Sequence, residues 1–152
     1  MTGAEPVRIE LRSDPRLLSG AREFVSAAAR RFGFPELDCS RIALAIDEAL
    51  ANVICHGYKR RPDGPIWVTL WFVDESNGGP ELKVVIEDEG DQVDIENIKG
   101  RDLADIRPGG LGVHIIQEVM DKVTYERREP AGMRLVMLKR FDTASNKDAA
   151  HG

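Results

Sequence analysis

The sequence has few of the residues that mark secreted, membrane-spanning or nucleic-acid-binding proteins. Its 152 residues include two cysteines, Cys39 and Cys55, too few for a disulfide framework or a paired metal motif. The longest apolar run, 66–73, is interrupted by Thr69 and is far too short to cross a bilayer. The first residues contain no basic segment followed by an apolar one, as a signal peptide would. We therefore expect a reduced, cytoplasmic protein that does not associate with membranes.

Positive charge is also scarce. The chain has 21 Lys and Arg against 26 Asp and Glu, a formal net charge of −5. This balance argues against DNA or RNA as a direct partner, because phosphate contacts require a basic face. The 42% hydrophobic and 31% charged residues are typical of a globular chain. The length predicts one domain over residues 1–140, followed by a flexible C-terminal tail at 141–152.

Periodicity along the chain predicts five strands and three helices. Alternating apolar residues predict strands at 7–12, 66–74, 81–88, 122–128 and 133–139. Helical spacing predicts helices at 18–32, 38–58 and 111–120. Residues 89–112 lack a period, and so long a loop usually has a function or is disordered. The order of elements predicts an α/β (α+β) two-layer sandwich, with a mixed, mostly antiparallel sheet and the helices on one face.

The second predicted helix carries a polar pair, Glu48 and Asn52. Their separation of four residues places both on one face, among small apolar residues such as Ala45 and Ala49. A carboxylate in such surroundings must be paired, linked to a metal or catalytic, because an unpaired buried charge is very unfavourable. The simpler interpretation is a hydrogen bond between the two side chains, or a salt bridge to an arginine elsewhere.

Two glycine-containing segments follow strands or precede helices. Asp88 ends an apolar strand two residues before Gly90, where its carboxylate could accept a hydrogen bond from a ligand amino group, although Asp and Gly are also common in turns. Residues 107–112 lead into a helix, whose N-terminal N–H groups favour anions. Neither a Walker A loop nor a dinucleotide fingerprint is present. A tight turn or a flexible lid is the structural alternative.

Taken in order, these motifs resemble a known nucleotide-binding fold. The pairs Glu48/Asn52, Asp88/Gly90 and Gly110/Gly112, followed by a hairpin with Gly132, are similar to the Bergerat-type ATP-binding fold. DNA gyrase, the ninety-kilodalton heat-shock chaperone, the mismatch-repair ATPase and bacterial histidine kinases share this fold. The resemblance covers residues 7–140. It is strongest to the bacterial anti-sigma factor serine/threonine kinases, in the segments AIDEALANVICHGY, VVIEDEG, PGGLGVHIIQEVMDKVTYER and GMRLVMLKR.

The resemblance implies roles for individual residues. Glu48 would be the general base, Asn52 would hold Mg²⁺ and contact ATP, and Asp88 would bind the adenine amino group. Gly90 would leave room for the ring, and residues 93–108 would form a lid. The remaining ATP-binding residues implied in the same way are Val93, Arg107, Gly109, Gly110, Leu111, Gly112 and Val113.

The resemblance also implies cofactors and partners. The protein would use ATP and Mg²⁺ to phosphorylate a small anti-sigma-factor antagonist, and would sequester a sigma factor or another response regulator in a partner-switching pathway. It also suggests a homodimer. Gln92 replaces the second glycine of the family pattern, and Met133 replaces a threonine whose hydroxyl is expected near adenine. These departures support an alternative, a non-catalytic nucleotide-binding or regulator-binding module of the same fold. A slow ATPase is a further alternative.

Two further features receive structural interpretations. His56, before Gly57 at the end of the second helix, is expected to cap the helix or to pack. Trp67 and Trp71 share one face of a strand. Core packing is the simpler interpretation of this pair, and exposure would instead indicate an interface.

Overall fold

A computed structural model describes residues 5–76, 79–93 and 110–141. Its strands are β1 (Val7–Arg12), β2 (Pro65–Ser76), β3 (Gly79–Asp88), β4 (Lys122–Arg127) and β5 (Met133–Arg140). Its helices are α1 (Leu18–Arg31), α2 (Glu36–Asn52) and α3 (Gly110–Val119), with a 3-10 turn at Pro15–Leu17 and a π-helical turn at Val53–Gly57. Every predicted strand and helix is therefore present. None of the helices within these ranges is long and apolar enough to span a membrane.

The strands form one sheet in the order β1-β2-β3-β5-β4. Every pair of neighbours in the described ranges is antiparallel. The last strand of the chain, β5, lies between β3 and β4, with Glu87 opposite Arg134. This crossover matters for the site, because it brings the turn that precedes β5 beside Asp88 at the end of β3.

The three helices cover one face of the sheet, as predicted for a two-layer sandwich. Helix α2 is central, because it packs against both α1 and α3. Its inner side chains Ile42, Ile46 and Leu50 are fully buried. Burial of each such side chain contributes roughly 1.5–3 kcal/mol. From the sheet, the fully buried side chains that meet the helices include Ile66, Val68, Leu70, Leu82, Val84, Ile86 and Met137.

The two tryptophans lie on the opposite face of β2 from these core residues. Both are half-buried, and positive side chains flank both rings. Arg8 and Arg128 lie 5.6 Å and 5.1 Å from the centre of the Trp67 ring, and Lys83 lies 5.2 Å from that of Trp71. The core-packing interpretation of this pair is therefore wrong, since neither indole belongs to the core between the two layers.

The second helix differs from the prediction at both ends. It begins at Glu36 rather than Asp38, directly after Pro35, whose extended backbone can precede a first turn. It ends at Asn52 rather than Tyr58, and the chain continues through the wider π-helical turn. There the Tyr58 N–H donates to the Val53 carbonyl over 2.9 Å, five residues back. Such π turns occur frequently at functional sites.

Several predicted features fall outside the described residues. The predicted lid does so except for Val93, and the predicted tail does so except for Phe141. The division into a domain and a tail therefore stays a prediction. Asp14-Pro15 resembles the start of a helix, but Asp14 does not cap α1. Its side chain instead accepts a hydrogen bond of 2.9 Å from the Arg16 N–H at the 3-10 turn, and α1 begins after that turn.

Candidate functional site

A pocket of about 250 Å³ opens between the C-terminal end of α2 and the neighbouring ends of β3, β4 and β5. This volume is just below the ~300 Å³ at which small-molecule sites usually begin. Its walls are mostly apolar and include Ala49, Val53, Ile86, Met133 and Leu135. Its polar lining residues are Asn52, His56, Lys59, Asp88, Asp91 and Tyr125, and Gly57 and Val93 also line it. Apolar walls with a few polar groups are typical of a ligand site.

Asp88 is the buried carboxylate of this pocket, with 2% of its surface exposed. Its Oδ1 accepts hydrogen bonds from the backbone N–H of Gly90, over 2.8 Å, and of Met133, over 3.3 Å. Its Oδ2 has no hydrogen bond to any of the described residues. Burial raises the pKa of Asp88, while the two backbone donors and the charge of Arg128 partly oppose that rise. The free oxygen can accept a hydrogen bond from an amino group of a ligand.

Two glycines allow three backbone segments to meet around Asp88. A Cβ on Gly90 would lie 2.5 Å from the carbonyl oxygen of Gly57. Gly132 has φ +92°, and its Cβ would lie 1.8 Å from the carbonyl oxygen of Asp88. The resemblance implied that Gly90 leaves room for a ligand ring. The structure shows a different constraint, because the space that a side chain would need belongs to the backbone of Gly57.

The π-helical turn is tied to the segment after β3. The Asp91 N–H donates to the Gly57 carbonyl over 2.7 Å, so the end of α2 and the end of β3 form one wall of the pocket. His56, which was expected only to cap or pack, lines the same pocket. The wide turn explains why sequence periodicity did not place it there, since helical spacing does not hold across a π turn.

Asn52 and Glu48 differ in their relation to the pocket. Asn52, the last residue of α2, is half-buried and lines it. Glu48 lies one turn earlier, is also half-buried and is not among the described lining residues. Glu48 is therefore not a fully buried carboxylate, since solvent reaches it. The helix still places both side chains on one face.

Gln92, which departs from the family pattern, has a defined contact. Its Nε2 donates to the Arg128 carbonyl over 2.5 Å, which links the segment after β3 to the loop between β4 and β5. The guanidinium of Arg128 in turn donates to the Asp88 carbonyl over 2.7 Å. A glycine at position 92 could not make the first of these contacts.

Sequence reasoning missed Tyr125 and Lys59. Tyr125 reaches the pocket from the edge strand β4, where it pairs with Leu135 of β5. Burial raises the pKa of its hydroxyl to about 12. Lys59 follows the π turn and has φ +52°, a left-handed backbone that is uncommon for a residue other than glycine. The alternation of apolar and polar residues along β4 predicted which residues share a face with Tyr125. It did not predict that this face borders a pocket.

The glycine-rich segment is only partly described. Gly110, Leu111, Gly112 and Val113 belong to the first turn of α3, although the prediction placed Gly110 before the helix. Backbone N–H groups at the N-terminus of a helix favour anions. Arg107 and Gly109 lie outside the described residues.

The described ranges contain no group of three or more His, Cys, Asp or Glu side chains able to hold a metal ion. Mg²⁺ needs no such cage when phosphate oxygens and water supply most of its ligands. Asn52, whose amide oxygen is a suitable hard ligand at the pocket wall, fits a Mg²⁺ ion carried by a nucleotide.

Comparison with known proteins agrees with this geometry. The histidine kinase-like ATPase domain family matches residues 11–139. A serine-protein kinase RsbW of Listeria monocytogenes (serotype 4a, strain HCC23) is 29% identical over 143 residues, covering 89% of this chain and 87% of its own. The RsbW of Bacillus subtilis (strain 168) is 25% identical over 145 residues, with 90% and 86% covered. The chain therefore belongs to the histidine kinase-like ATPase domain family.

Proposed function

We propose that this protein is an ATP- and Mg²⁺-dependent protein serine/threonine kinase of the anti-sigma-factor type. One observation carries the proposal: Asp88 and Asn52 face the same apolar pocket, and Glu48 lies on the same face of α2, one turn away from Asn52. The family match and the names of the relatives support it.

The pocket suits the base of ATP. The free Oδ2 of Asp88 accepts a hydrogen bond from the adenine amino group, and Ile86 and Leu135 contact the ring. Asn52 holds Mg²⁺, which when bound neutralises negative charge on the phosphates. Gly110 and Gly112 contribute backbone N–H groups to the phosphates, together with the rest of the glycine-rich segment.

Glu48 acts as the general base. It takes the proton from a serine or threonine hydroxyl of the acceptor protein. The hydroxyl oxygen forms a bond to the γ-phosphorus while the bond from that phosphorus to the ADP oxygen breaks. Half-exposure suits this role, because the acceptor is a protein that must approach Glu48 from solvent.

The proposed acceptor is a small anti-sigma-factor antagonist. A sigma factor, or another response regulator, would bind in a competing complex. The family resemblance supports these partners, a homodimer and a cytoplasmic location. The net charge of −5 agrees with a protein that acts on other proteins rather than directly on nucleic acid.

The test is transfer of the labelled γ-phosphate of ATP to a purified anti-sigma-factor antagonist protein. Glu48→Gln should lower the transfer rate by about 10²- to 10⁴-fold while ADP still binds, because a general base contributes that much. The matched control is Asp47→Asn on the same helix, which removes a half-exposed partner of Arg22 at 3.7 Å and should leave the rate unchanged. A transfer rate in Glu48→Gln equal to that of wild type would refute the assignment of Glu48 as the general base.

Met133 favours the second candidate, a binding module that has lost catalysis. It supplies a backbone N–H to Asp88, but its side chain has no hydroxyl for the base. Calorimetry with Mg·ATP separates the two functions. Binding that Asn52→Ala weakens, together with transfer to an acceptor, supports the kinase. Binding of a sigma factor without any nucleotide binding supports the module, and phosphate release without an acceptor indicates an ATPase.

A further inference from the structure

The hydroxyl of Tyr125 is shielded from solvent and makes no hydrogen bond to any described residue. It is the one buried side-chain oxygen or nitrogen in the described ranges without a partner. The other tyrosine of the chain differs in this respect. Tyr58 donates its hydroxyl hydrogen to the Pro65 carbonyl over 2.5 Å and accepts a hydrogen bond from the Glu89 N–H over 2.7 Å. Leaving a buried hydroxyl unpaired destabilises the folded state, so the position of Tyr125 calls for an explanation.

The position of Tyr125 points to a ligand as the missing partner. Its side chain lines the pocket. Its neighbours there include Leu135, opposite it on β5, and Met133, two residues earlier on the same face of β5. Both are buried, and neither has a side-chain oxygen or nitrogen that could pair with a hydroxyl.

The polar groups of the pocket fall into two sets. Asn52, His56 and Asp91 are half-buried or exposed, which suits the sugar and phosphates of a nucleotide that reaches solvent. The Asp88 carboxylate and the Tyr125 hydroxyl are buried between apolar walls, which suits the base. Asp88 accepts from the adenine amino group under the proposed function. The remaining polar atoms on the adenine ring are nitrogens that only accept, and the Tyr125 hydroxyl is a buried group of this pocket that can donate to one of them.

We propose that Tyr125 is a specificity-determining residue that donates its hydroxyl hydrogen to a ring nitrogen of the bound adenine. This inference rests on the proposed function, because it takes the ligand to be an adenine nucleotide. Asp88 and Tyr125 then recognise the base together, one as acceptor and the other as donor. Tyr125 thereby supplies a hydroxyl for the base, whereas Met133, which stands where the family pattern has a threonine, has none.

Calorimetric titration of the full chain with ADP tests the proposal. Tyr125→Phe removes only the oxygen, and loss of one neutral hydrogen bond should raise the Kd for ADP by about 2- to 12-fold. The 1-deaza, 3-deaza and 7-deaza analogues of ADP each lack one ring nitrogen. With the analogue that lacks the contacted nitrogen, wild type and Tyr125→Phe should bind with equal affinity.

Thermal unfolding provides a readout that a purely structural role would not give. Without ligand, Tyr125→Phe should unfold at the same temperature as wild type or higher, since it removes an unpaired buried hydroxyl. Saturating ADP should then raise its midpoint less than that of wild type. Tyr58→Phe, the matched control, should lower the midpoint without ligand because both of its hydrogen bonds are within the protein.

The outcomes separate this inference from the proposed function. If wild type binds ADP and Tyr125→Phe binds it equally well, the role of Tyr125 is overturned and the kinase proposal stands. A lower midpoint for ligand-free Tyr125→Phe would also overturn it, since the hydroxyl would then be paired within the protein. If wild type binds no adenine nucleotide, both proposals fail.

Discussion

Replacement of Gly132 by alanine tests how the pocket is assembled. The new Cβ would lie 1.8 Å from the Asp88 carbonyl oxygen, 2.5 Å from its carbonyl carbon and 2.8 Å from the Glu89 Cα. All three atoms belong to the backbone, so no side-chain rotation relieves the overlap. The left-handed backbone at φ +92° adds strain for any residue with a Cβ.

The expected loss of stability follows from these two contributions. A left-handed conformation costs roughly 1–2 kcal/mol for a residue other than glycine. Displacement of a packed backbone typically costs about 1–3 kcal/mol. The free energy of unfolding should therefore fall by about 2–5 kcal/mol, a large fraction of the 5–15 kcal/mol typical of a domain. At about 2–4 °C per kcal/mol for a chain of this length, the melting temperature should fall by about 4–20 °C.

Urea and thermal unfolding followed by far-ultraviolet circular dichroism measure this loss. Gly20→Ala is the matched control, because no atom lies within 4 Å of its added Cβ and the residue is on the exposed side of α1. That substitution should stabilise the protein by about 0.5–1 kcal/mol, since alanine is the better helix former. If Gly132→Ala loses less than about 1 kcal/mol, then the close approach of the β4–β5 turn to Asp88 is not a constraint on the fold.

Two further predictions concern buried polar groups. Burial raises the pKa of Asp88, so this carboxyl group keeps its proton to higher pH in the folded protein than in the unfolded chain. The free energy of unfolding therefore decreases as the pH rises through the pKa that Asp88 has in the folded protein. Asp88→Asn keeps an acceptor for the N–H groups of Gly90 and Met133 and should lose this pH dependence. Urea unfolding from weakly acidic to neutral pH measures the change, and a pH profile equal to that of wild type would contradict the prediction. Ser13 is fully buried, and its hydroxyl donates to the Arg61 carbonyl and accepts from the Gly64 N–H over 2.9 Å. Ser13→Ala should lower the free energy of unfolding by about 1–3 kcal/mol, and a urea midpoint equal to that of wild type would exclude this role.

The elements that sequence reasoning found are those with local signals. Alternation along β2 and β3 and the spacing of Ile42 and Ile46 are properties of single segments, so strands, helices and layers were predictable. The place of β5 between β3 and β4 depends on pairing between distant segments. Gly110 was assigned to a loop because residues 89–112 lack a sustained apolar period, but it belongs to α3, which packs against α2.

The residues of the site also differ in whether a local signal in the sequence indicated them. Asp88 and Asn52 stand in short motifs, and both line the pocket. Tyr125 reaches the pocket only through the register of β4 against β5, and His56 through the π-helical turn. Neither arrangement can be inferred from the spacing of residues along one segment, so these two lining residues were not predicted.

Arg128 connects the pocket to Trp67, an indole on the opposite face of the sheet whose fluorescence can be measured. Its guanidinium donates to the Asp88 carbonyl over 2.7 Å and lies 5.1 Å from the centre of the Trp67 ring. Indole emission responds to nearby charge, so a shift of the Asp88 backbone on ligand binding would alter the fluorescence of Trp67. Trp71, which lies beside Lys83 instead, would contribute a constant background. A Trp71→Phe protein would thus carry a single tryptophan, whose emission can be excited selectively to follow occupancy of the pocket without a label.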